Sequence, residues 1–156
     1  MIELICFEPR SHMNDLKQLL TDYALSLNFN LCFQNFKKEM DDLPGDYATP
    51  SGRLLMAYSD GIPAGCIALR KIDNETSEMK RLYVRPEFRK LHIGRLLAER
   101  IIDEAKIIGY KRIRLDTVPD MEIAQKLYLS MGFKQINPYR ENPIPGAIFM
   151  EKELTI

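Results

Sequence analysis

The sequence predicts an α/β fold in which helices flank a mixed sheet, part antiparallel and part parallel. Three strand-like apolar runs follow one another in the first half with only short turns between them, which favours an antiparallel meander. In the second half, runs with a helical period alternate with strand-like runs, an order that favours parallel pairing. We expect residues 1–156 to form a single domain, because this length suffices for one sizeable core.

The first half is predicted to contain a strand, two helices and then the three strands of the meander. In chain order, these elements are predicted at residues 4–7, 11–27, 33–40, 53–58, 64–69 and 78–84. Pro9 is expected to end the first strand, and Ser11 is the expected N-cap of the first helix. Asp60-Gly61 lies between two strand-like runs, as in a β-hairpin.

After residue 84, the spacing of apolar residues changes from that of strands to that of helices. Helices are predicted at residues 93–108 and 123–131, and strands at 113–115, 133–136 and 147–154. Gly109 and Gly132 follow the last apolar residue of each helical stripe, which is the usual place for glycine at a helix end.

Charge and composition exclude several classes of protein. Lysine and arginine together number 22, as do aspartate and glutamate, so the formal net charge is zero and the pI is about 6.7. This balance predicts no nucleic-acid or membrane partner. Cys6, Cys32 and Cys66 lack the spacing of metal ligands, so no metal site is predicted. No signal peptide is evident, and we expect a cytoplasmic protein.

The segment at residues 84–95 joins a strand to the start of a long helix. The first turn of a helix has unpaired backbone N–H groups, and Gly94 lets a ligand approach them closely. Positive side chains surround the same point, at Arg89, Lys90, His92 and Arg95. The segment therefore predicts an anion site, for instance for a diphosphate. The alternative is a solvated basic turn with a glycine cap.

With the preceding Met79-Lys80-Arg81-Leu82-Tyr83-Val84, this segment resembles the acetyl-CoA motif of the GNAT superfamily of N-acetyltransferases. The family pattern is [RQ]-x-x-G-x-[GA]. Arg89 and Gly94 match its two ends, while His92 replaces its first glycine.

A second stretch also resembles the family. Ala124, Tyr128 and Gly132-Phe133 match its A-x-x-x-Y-x-x-x-G-F signature, although Met121 stands where the family often has asparagine. Further short segments resemble a bacterial GNAT subgroup of unknown substrate, at residues 43–45, 52–55, 116–117 and 142–143.

The resemblance implies a GNAT-like acyl-CoA N-acyltransferase fold, with strand 78–84 splayed from a parallel neighbour at 113–116. It implies acetyl-CoA as co-substrate, with its pantetheine arm in the gap between these strands. The cofactor-binding residues that it implies are Leu82, Tyr83, Val84, Arg89, Lys90, Leu91, His92, Ile93, Gly94 and Arg95.

The resemblance also implies catalytic roles. Glu78 matches the general base of several family members, and Tyr128 matches the tyrosine that protonates the departing thiolate. The alternatives are an exposed glutamate at the start of a strand and a core aromatic residue on an apolar stripe. Residues proposed to line the acceptor pocket are Tyr47, Tyr139, Arg140 and Asn142.

The predicted function is acetyl transfer to the primary amine of a small molecule or amino acid. Two alternatives remain: acetylation of a protein N-terminus or lysine, and a CoA-binding module without catalysis. The resemblance to the family also implies a possible homodimer.

Overall fold

The central feature of the computed structural model, which describes residues 1–27, 35–119 and 121–154, is a seven-stranded sheet. Its strands are β1 (Ile2–Cys6), β2 (Arg53–Ser59), β3 (Ile62–Lys71), β4 (Thr76–Val84), β5 (Arg112–Thr117), β6 (Lys134–Ile136) and β7 (Ile148–Glu153). The α-helices are α1 (Pro9–Ser26), α2 (Phe36–Asp42), α3 (Ile93–Ile108) and α4 (Glu122–Ser130). None of the described helices is both long enough and apolar enough to cross a membrane.

The strand order β1-β2-β3-β4-β5-β7-β6 confirms the predicted mixed sheet. The first four strands form the antiparallel meander, and β4 and β5 run parallel, joined by the crossover helix α3. β7 lies between β5 and β6 and is antiparallel to both. Among the described strand pairs, parallel pairing is therefore confined to β4 and β5.

The first helix begins two residues earlier than predicted. Pro9 is its first residue, because a proline at this position has a preset φ and its missing N–H would have no helical partner. The side chain of Glu8 caps the helix by accepting from the backbone N–H of Arg10, so Ser11 is not the cap. The second helix begins at Phe36; Phe33, where it was predicted to begin, lies outside the described residues.

Two apolar cores cover opposite faces of the sheet. On one face, α3 packs its buried stripe against β2, β3 and β4, and its Leu97 and Ile101 share a core with Ile113 of β5, all three fully buried. On the other face, α1 packs Leu16 and Leu19 against β2 and β3. The neighbours Met79 and Lys80 of β4 therefore lie on opposite faces, since side chains alternate along a strand.

β4 and β5 pair only at their N-terminal ends, where Thr76–Glu78 face Arg112–Arg114, and then separate. A β-bulge lies beyond that point in β4. Lys80 pairs with Ala68 and Tyr83 pairs with Cys66, so two residues of β4 oppose one of β3. The predicted splay is thus present, and it leaves a cleft between the two strands.

Candidate active site

The gap between the separating strands, here called the β4–β5 cleft, is lined by five parts of the chain. Its walls are β4, the end of β5 with the residues that follow it, one face of α4, and single residues of α1 and of the loop before β7. The lining residues are Tyr23, Met79, Lys80, Arg81, Leu82, Leu115, Asp116, Thr117, Val118, Met121, Ala124, Tyr128 and Asn142. The cleft therefore has one apolar end and one charged end.

The segment after β4 forms a 3-10 turn, Pro86–Leu91, that leads into α3. The guanidinium of Arg89 donates to the carbonyl of Val84 at 3.0 Å, which folds the basic turn back onto the strand end. At Gly94, an added Cβ would meet only the Val84 side chain, at an ordinary 3.8 Å. Protein packing therefore does not require glycine there, and the space in front of the helix start is open to a ligand.

Thr117 supplies a polar group to the cleft. Its side chain is only 4% exposed, and its Oγ1 has no hydrogen-bond partner within the described residues. A buried hydroxyl without a partner is costly, so a ligand group in the cleft would satisfy it.

Tyr128 is buried at the apolar end of the cleft, where its ring packs on Phe133 with 5.7 Å between centroids. Burial raises the pKa of its hydroxyl above the usual value near 10. The hydroxyl therefore keeps its proton throughout the neutral range and can act as a proton donor.

Glu78 is fully buried at the point where the two strands part. Its Oε1 accepts from Nε of Arg70 at 2.7 Å, and its Oε2 accepts from the hydroxyl of Tyr139 at 2.6 Å and forms an ion pair with Nη2 of Arg140 at 2.9 Å. Both carboxylate oxygens are thus engaged by donors. Burial, followed by the contact with Glu78, raises the pKa of the Tyr139 hydroxyl.

The loop before β7 is tied to the sheet through this carboxylate and through Asp116. Arg140 bridges Glu78 and Asp116, with 2.7 Å from its Nη2 to Oδ1 of Asp116. The side-chain amide of Asn142 donates to Oδ2 of Asp116 at 3.0 Å. These contacts hold the loop against the charged end of the cleft.

Arg81 is the bulged residue of β4, with φ at +61°. Its guanidinium binds both carboxylate oxygens of Glu39 on α2, each at 2.8 Å. Tyr47 is buried beside this ion pair, and burial is the main cause of its raised pKa. The bulge thus turns Arg81 towards the face that α1 and α2 cover, the face that already carries Lys80.

Lys80 is 8% exposed at the charged end of the cleft. Burial, with the nearby Arg81 charge as the next cause, lowers the pKa of its amine to about 7. At neutral pH the side chain is therefore divided between its charged and neutral forms.

Comparison with known proteins identifies the family to which this chain belongs. The model of the acetyltransferase (GNAT) family matches residues 14–133. The chain belongs to the GNAT acetyltransferase family. It is therefore an acyltransferase enzyme.

Relatives of this GNAT acetyltransferase agree with that assignment. An uncharacterized N-acetyltransferase of Schizosaccharomyces pombe is 38% identical, over 92% of this chain and 89% of the relative. N-acetylaspartate synthetase of Danio rerio is 30% identical, over 69% of this chain and 39% of the relative. A solved GNAT acetyltransferase from Elizabethkingia anophelis, with acetyl-CoA bound, has a TM-score of 0.71 at 23% identity and 98% coverage of each chain, a likeness that shows the fold.

Of the residues expected at the site, Leu82, Tyr128 and Asn142 line the cleft of this GNAT acetyltransferase. The Tyr83 ring lies on the α1 face, 5.8 Å from that of Tyr23. Ile93 is buried in the core, so only its backbone is available to a ligand. Lys90 and Leu91 are exposed on the basic turn.

Three of the residues expected at the site make their contacts outside the cleft. Arg95 reaches α4, where it donates to the hydroxyl of Ser130 at 2.7 Å. Tyr47 does not line the cleft; its hydroxyl is hydrogen-bonded to Glu39, the ion-pair partner of Arg81. Tyr139 does not line the cleft; its hydroxyl donates to Glu78, and its ring packs on Phe149.

The sequence analysis missed Lys80, Arg81 and Thr117 as members of this GNAT site. The signal for the first two is their position, because two charged residues in the middle of a central strand are rarely buried without a function. For Thr117 no sequence signal exists, since its orphaned hydroxyl follows from packing. Among the described residues, no cluster of histidine, cysteine and carboxylate side chains could hold a metal ion.

His92 adopts the left-handed conformation with φ at +59°, at the position where the family pattern has glycine. A side chain costs about 1 kcal/mol in this conformation. We therefore expect His92→Gly to be about 1 kcal/mol more stable than His92→Ala in urea denaturation. Both variants lack the imidazole, so the comparison isolates the backbone. Equal stability of the two variants would contradict a strained residue 92.

Proposed function

We propose that this GNAT acetyltransferase transfers the acetyl group of acetyl-CoA to the primary amine of a small molecule or amino acid. The observation that carries the proposal is the β4–β5 cleft itself. The basic turn follows β4, which forms one wall of the cleft, the buried Tyr128 lies at the apolar end, and buried charges lie at the other end. This is the order in which a phosphate-bearing thioester and a polar acceptor would meet.

The described residues fit acetyl-CoA on two counts. The open space at Gly94 and the N–H groups of the first turn of α3 suit a diphosphate, and Arg89 and Lys90 add positive charge in the last turn of the 3-10 segment just before it. The orphaned Thr117 hydroxyl and the backbone groups of Leu82 and Val84 suit the amide groups of a pantetheine arm. When bound, acetyl-CoA supplies the activated acetyl thioester.

Tyr128 is the proposed proton donor to the departing sulfur. Its hydroxyl lies in the cleft and keeps its proton at working pH, since burial raises its pKa. Glu78 was predicted from the family resemblance to be the general base, and that role stays a prediction. Its contacts support a second role, in which Glu78 holds Arg70, Tyr139 and Arg140 in place at the acceptor end.

A small, polar acceptor fits the charged end of the cleft. The loop before β7 is hydrogen-bonded to the sheet, through Tyr139 to Glu78 and through Arg140 and Asn142 to Asp116. The loop therefore closes this end of the cleft with polar side chains. A peptide acceptor needs an extended groove, whereas a small molecule needs a few converging polar groups. The name of the N-acetylaspartate synthetase relative also favours an amino acid among the amines to test.

Gly94→Ala tests the donor site apart from catalysis. The added methyl fits the protein, since Val84 lies 3.8 Å away, and alanine is about 0.5–1 kcal/mol better than glycine within a helix. We expect thermal stability to be equal or higher, while the affinity for CoA measured by calorimetry falls about tenfold, because the methyl occupies the space for phosphate. Unchanged affinity would remove the start of α3 from the donor site.

The proposed function is tested in two steps. First, acetyl-CoA should raise the melting temperature of the protein, because a ligand that binds the native state stabilises it. Second, free thiol release should be followed with acetyl-CoA and a panel of amino acids, polyamines, simple primary amines and short peptides. Turnover of an amino acid or small amine is the expected result. Absence of thermal stabilisation would overturn the donor assignment, and turnover of peptides alone would overturn the small-molecule acceptor.

A further inference from the structure

Seven ionisable side chains converge at the charged end of the cleft, here called the charged cluster. They come from five parts of the fold: β3, β4, β5, α2 and the loop before β7. The members are Arg70, Glu78, Lys80, Arg81, Asp116, Glu39 and Arg140. Charged groups in the middle of a sheet are costly unless they neutralise one another, so the balance of charge within this cluster matters.

The arginines and carboxylates of the charged cluster balance. Glu78 pairs with Arg70 and Arg140, Asp116 also pairs with Arg140, and Glu39 pairs with Arg81. Among the described members, three guanidinium groups therefore face three carboxylates. With neutral Lys80 the net charge of the cluster is zero, and a proton on Lys80 raises it to +1.

Most of the charges that face Lys80 lower the pKa of its amine. Arg81 beside it, Arg70 on β3 and Arg140 on the loop disfavour its proton, while Glu78 favours it. Asp116 on β5, Glu39 on α2, and the ionisable side chains of Tyr23, Tyr47 and Cys66 also lie on this face. Burial is the largest cause of a lowered pKa of about 7, the range in which a lysine works as a general base.

Glu78 is poorly placed to receive a proton from an acceptor. Protonation of its carboxylate would weaken its ion pairs with Arg70 and Arg140 at once and disturb the hydrogen bond from Tyr139. Lys80, by contrast, lines the same cleft as Tyr128 and Thr117. With a pKa lowered to about 7, Lys80 alternates between charged and neutral forms near neutral pH.

We propose that Lys80 is the general base of acetyl transfer, taking a proton from the ammonium group of the acceptor. This inference rests on the proposed function. The neutral Nζ of Lys80 takes one proton, and the freed amine nitrogen bonds to the acetyl carbon as the bond between that carbon and sulfur breaks. Tyr128 gives its proton to the sulfur and regains one from the acylated nitrogen through water. Lys80 then releases its proton to solvent, so the products are an amide, CoA thiol and one proton.

Two substitutions of Lys80 distinguish a role as general base from a role as a positive charge. Lys80→Met removes both, whereas Lys80→Arg keeps the charge and cannot act as a base at neutral pH. With the amine of the panel that releases thiol fastest, we expect kcat at pH 7 to fall about 100-fold or more in both variants. Lys71→Met, which removes an exposed lysine at the far end of β3, is the matched control and should keep wild-type kcat.

The pH dependence of kcat is a second test, because a purely structural role of Lys80 would not change its midpoint. Wild-type kcat should rise with pH to a plateau with a midpoint near 7, because the neutral form of Lys80 is the active one. This midpoint should vanish in both Lys80 variants. Wild-type kcat in either variant, or a wild-type profile in Lys80→Arg, would overturn the proposal, the latter by showing that charge alone matters.

A titration of Lys80 in the absence of an acceptor amine tests the general base separately from the proposed acetyltransferase function. The side-chain amine of Lys80 can be titrated by NMR in protein with isotope-labelled lysine, with the signal assigned by its loss in Lys80→Met. A midpoint near 7 supports Lys80 as the base, and a midpoint near 10 overturns it, whether or not any amine is turned over. If calorimetry shows no CoA binding to the wild-type protein, the proposed function fails, and the titration still decides the state of Lys80.

Discussion

Replacing Tyr128 by phenylalanine should lower kcat about 100-fold or more while the affinity for CoA stays nearly unchanged. The ring is kept, so its packing on Phe133 and the shape of the cleft are preserved. Only the hydroxyl is lost, and with it the proton that the departing thiolate needs. Thiol release gives kcat, and calorimetry with CoA gives the affinity.

The chain offers a matched control for the loss of a buried tyrosine hydroxyl. Tyr110 is also buried, and its hydroxyl donates to the carbonyl of Ser51 at 2.7 Å, outside the cleft. Tyr110→Phe should cost about 1 kcal/mol of stability and leave kcat unchanged. Wild-type kcat in Tyr128→Phe would exclude Tyr128 as the proton donor, and an equal loss in both variants would indicate a general effect on the fold.

The elements of the fold were predictable because their signals are local. The hairpin at Asp60-Gly61, the helix that ends before Gly109 and the basic turn before α3 all appear in the structure where the sequence placed them. Helical period, turn residues and strand length each depend on neighbouring residues. The splay of β4 from β5 followed from the family resemblance and was not a local signal.

The charged end of the cleft depends on contacts that no local signal reveals. Glu78 meets Tyr139 and Arg140 at sequence separations of 61 and 62 residues. The bulge in β4 changes which face each later residue occupies, since a shift of one residue reverses the alternation. Strict alternation would place Arg81 with Met79, and the bulge instead directs it to Glu39 on the opposite face. The importance of Lys80 is visible only once this face is assembled.

Glu78→Gln should reduce stability by about 3 kcal/mol, because it removes a fully buried charge that two half-buried guanidinium groups share. Arg70 would lose this partner, Arg140 would keep only its ion pair with Asp116, and the loop that carries Arg140 would lose its ion pair to β4. Urea denaturation at pH 7 measures this loss. Glutamine keeps the shape of the side chain, so the effect reports charge and not packing.

Glu151→Gln is the matched control for this substitution. Glu151 also lies on the sheet and pairs with one arginine, Arg114, at 2.8 Å, but both side chains are partly exposed. An ion pair in contact with water contributes at most about 1 kcal/mol, so its loss should be small. A similar loss of stability in the two variants would contradict the central position of Glu78 in the charged cluster.

The activity of Glu78→Gln distinguishes its two roles. If Glu78 positions Arg140 and Lys80, kcat/KM should fall at every pH, and Arg140→Met should add little to the loss, because both substitutions release the same loop. If Glu78 is the general base, stability should stay near that of the wild type, and the loss of activity should be greatest at low pH, where the amine is hardest to deprotonate. We expect the first pattern, since both oxygens of this carboxylate already bind donors and a proton on either would break an ion pair.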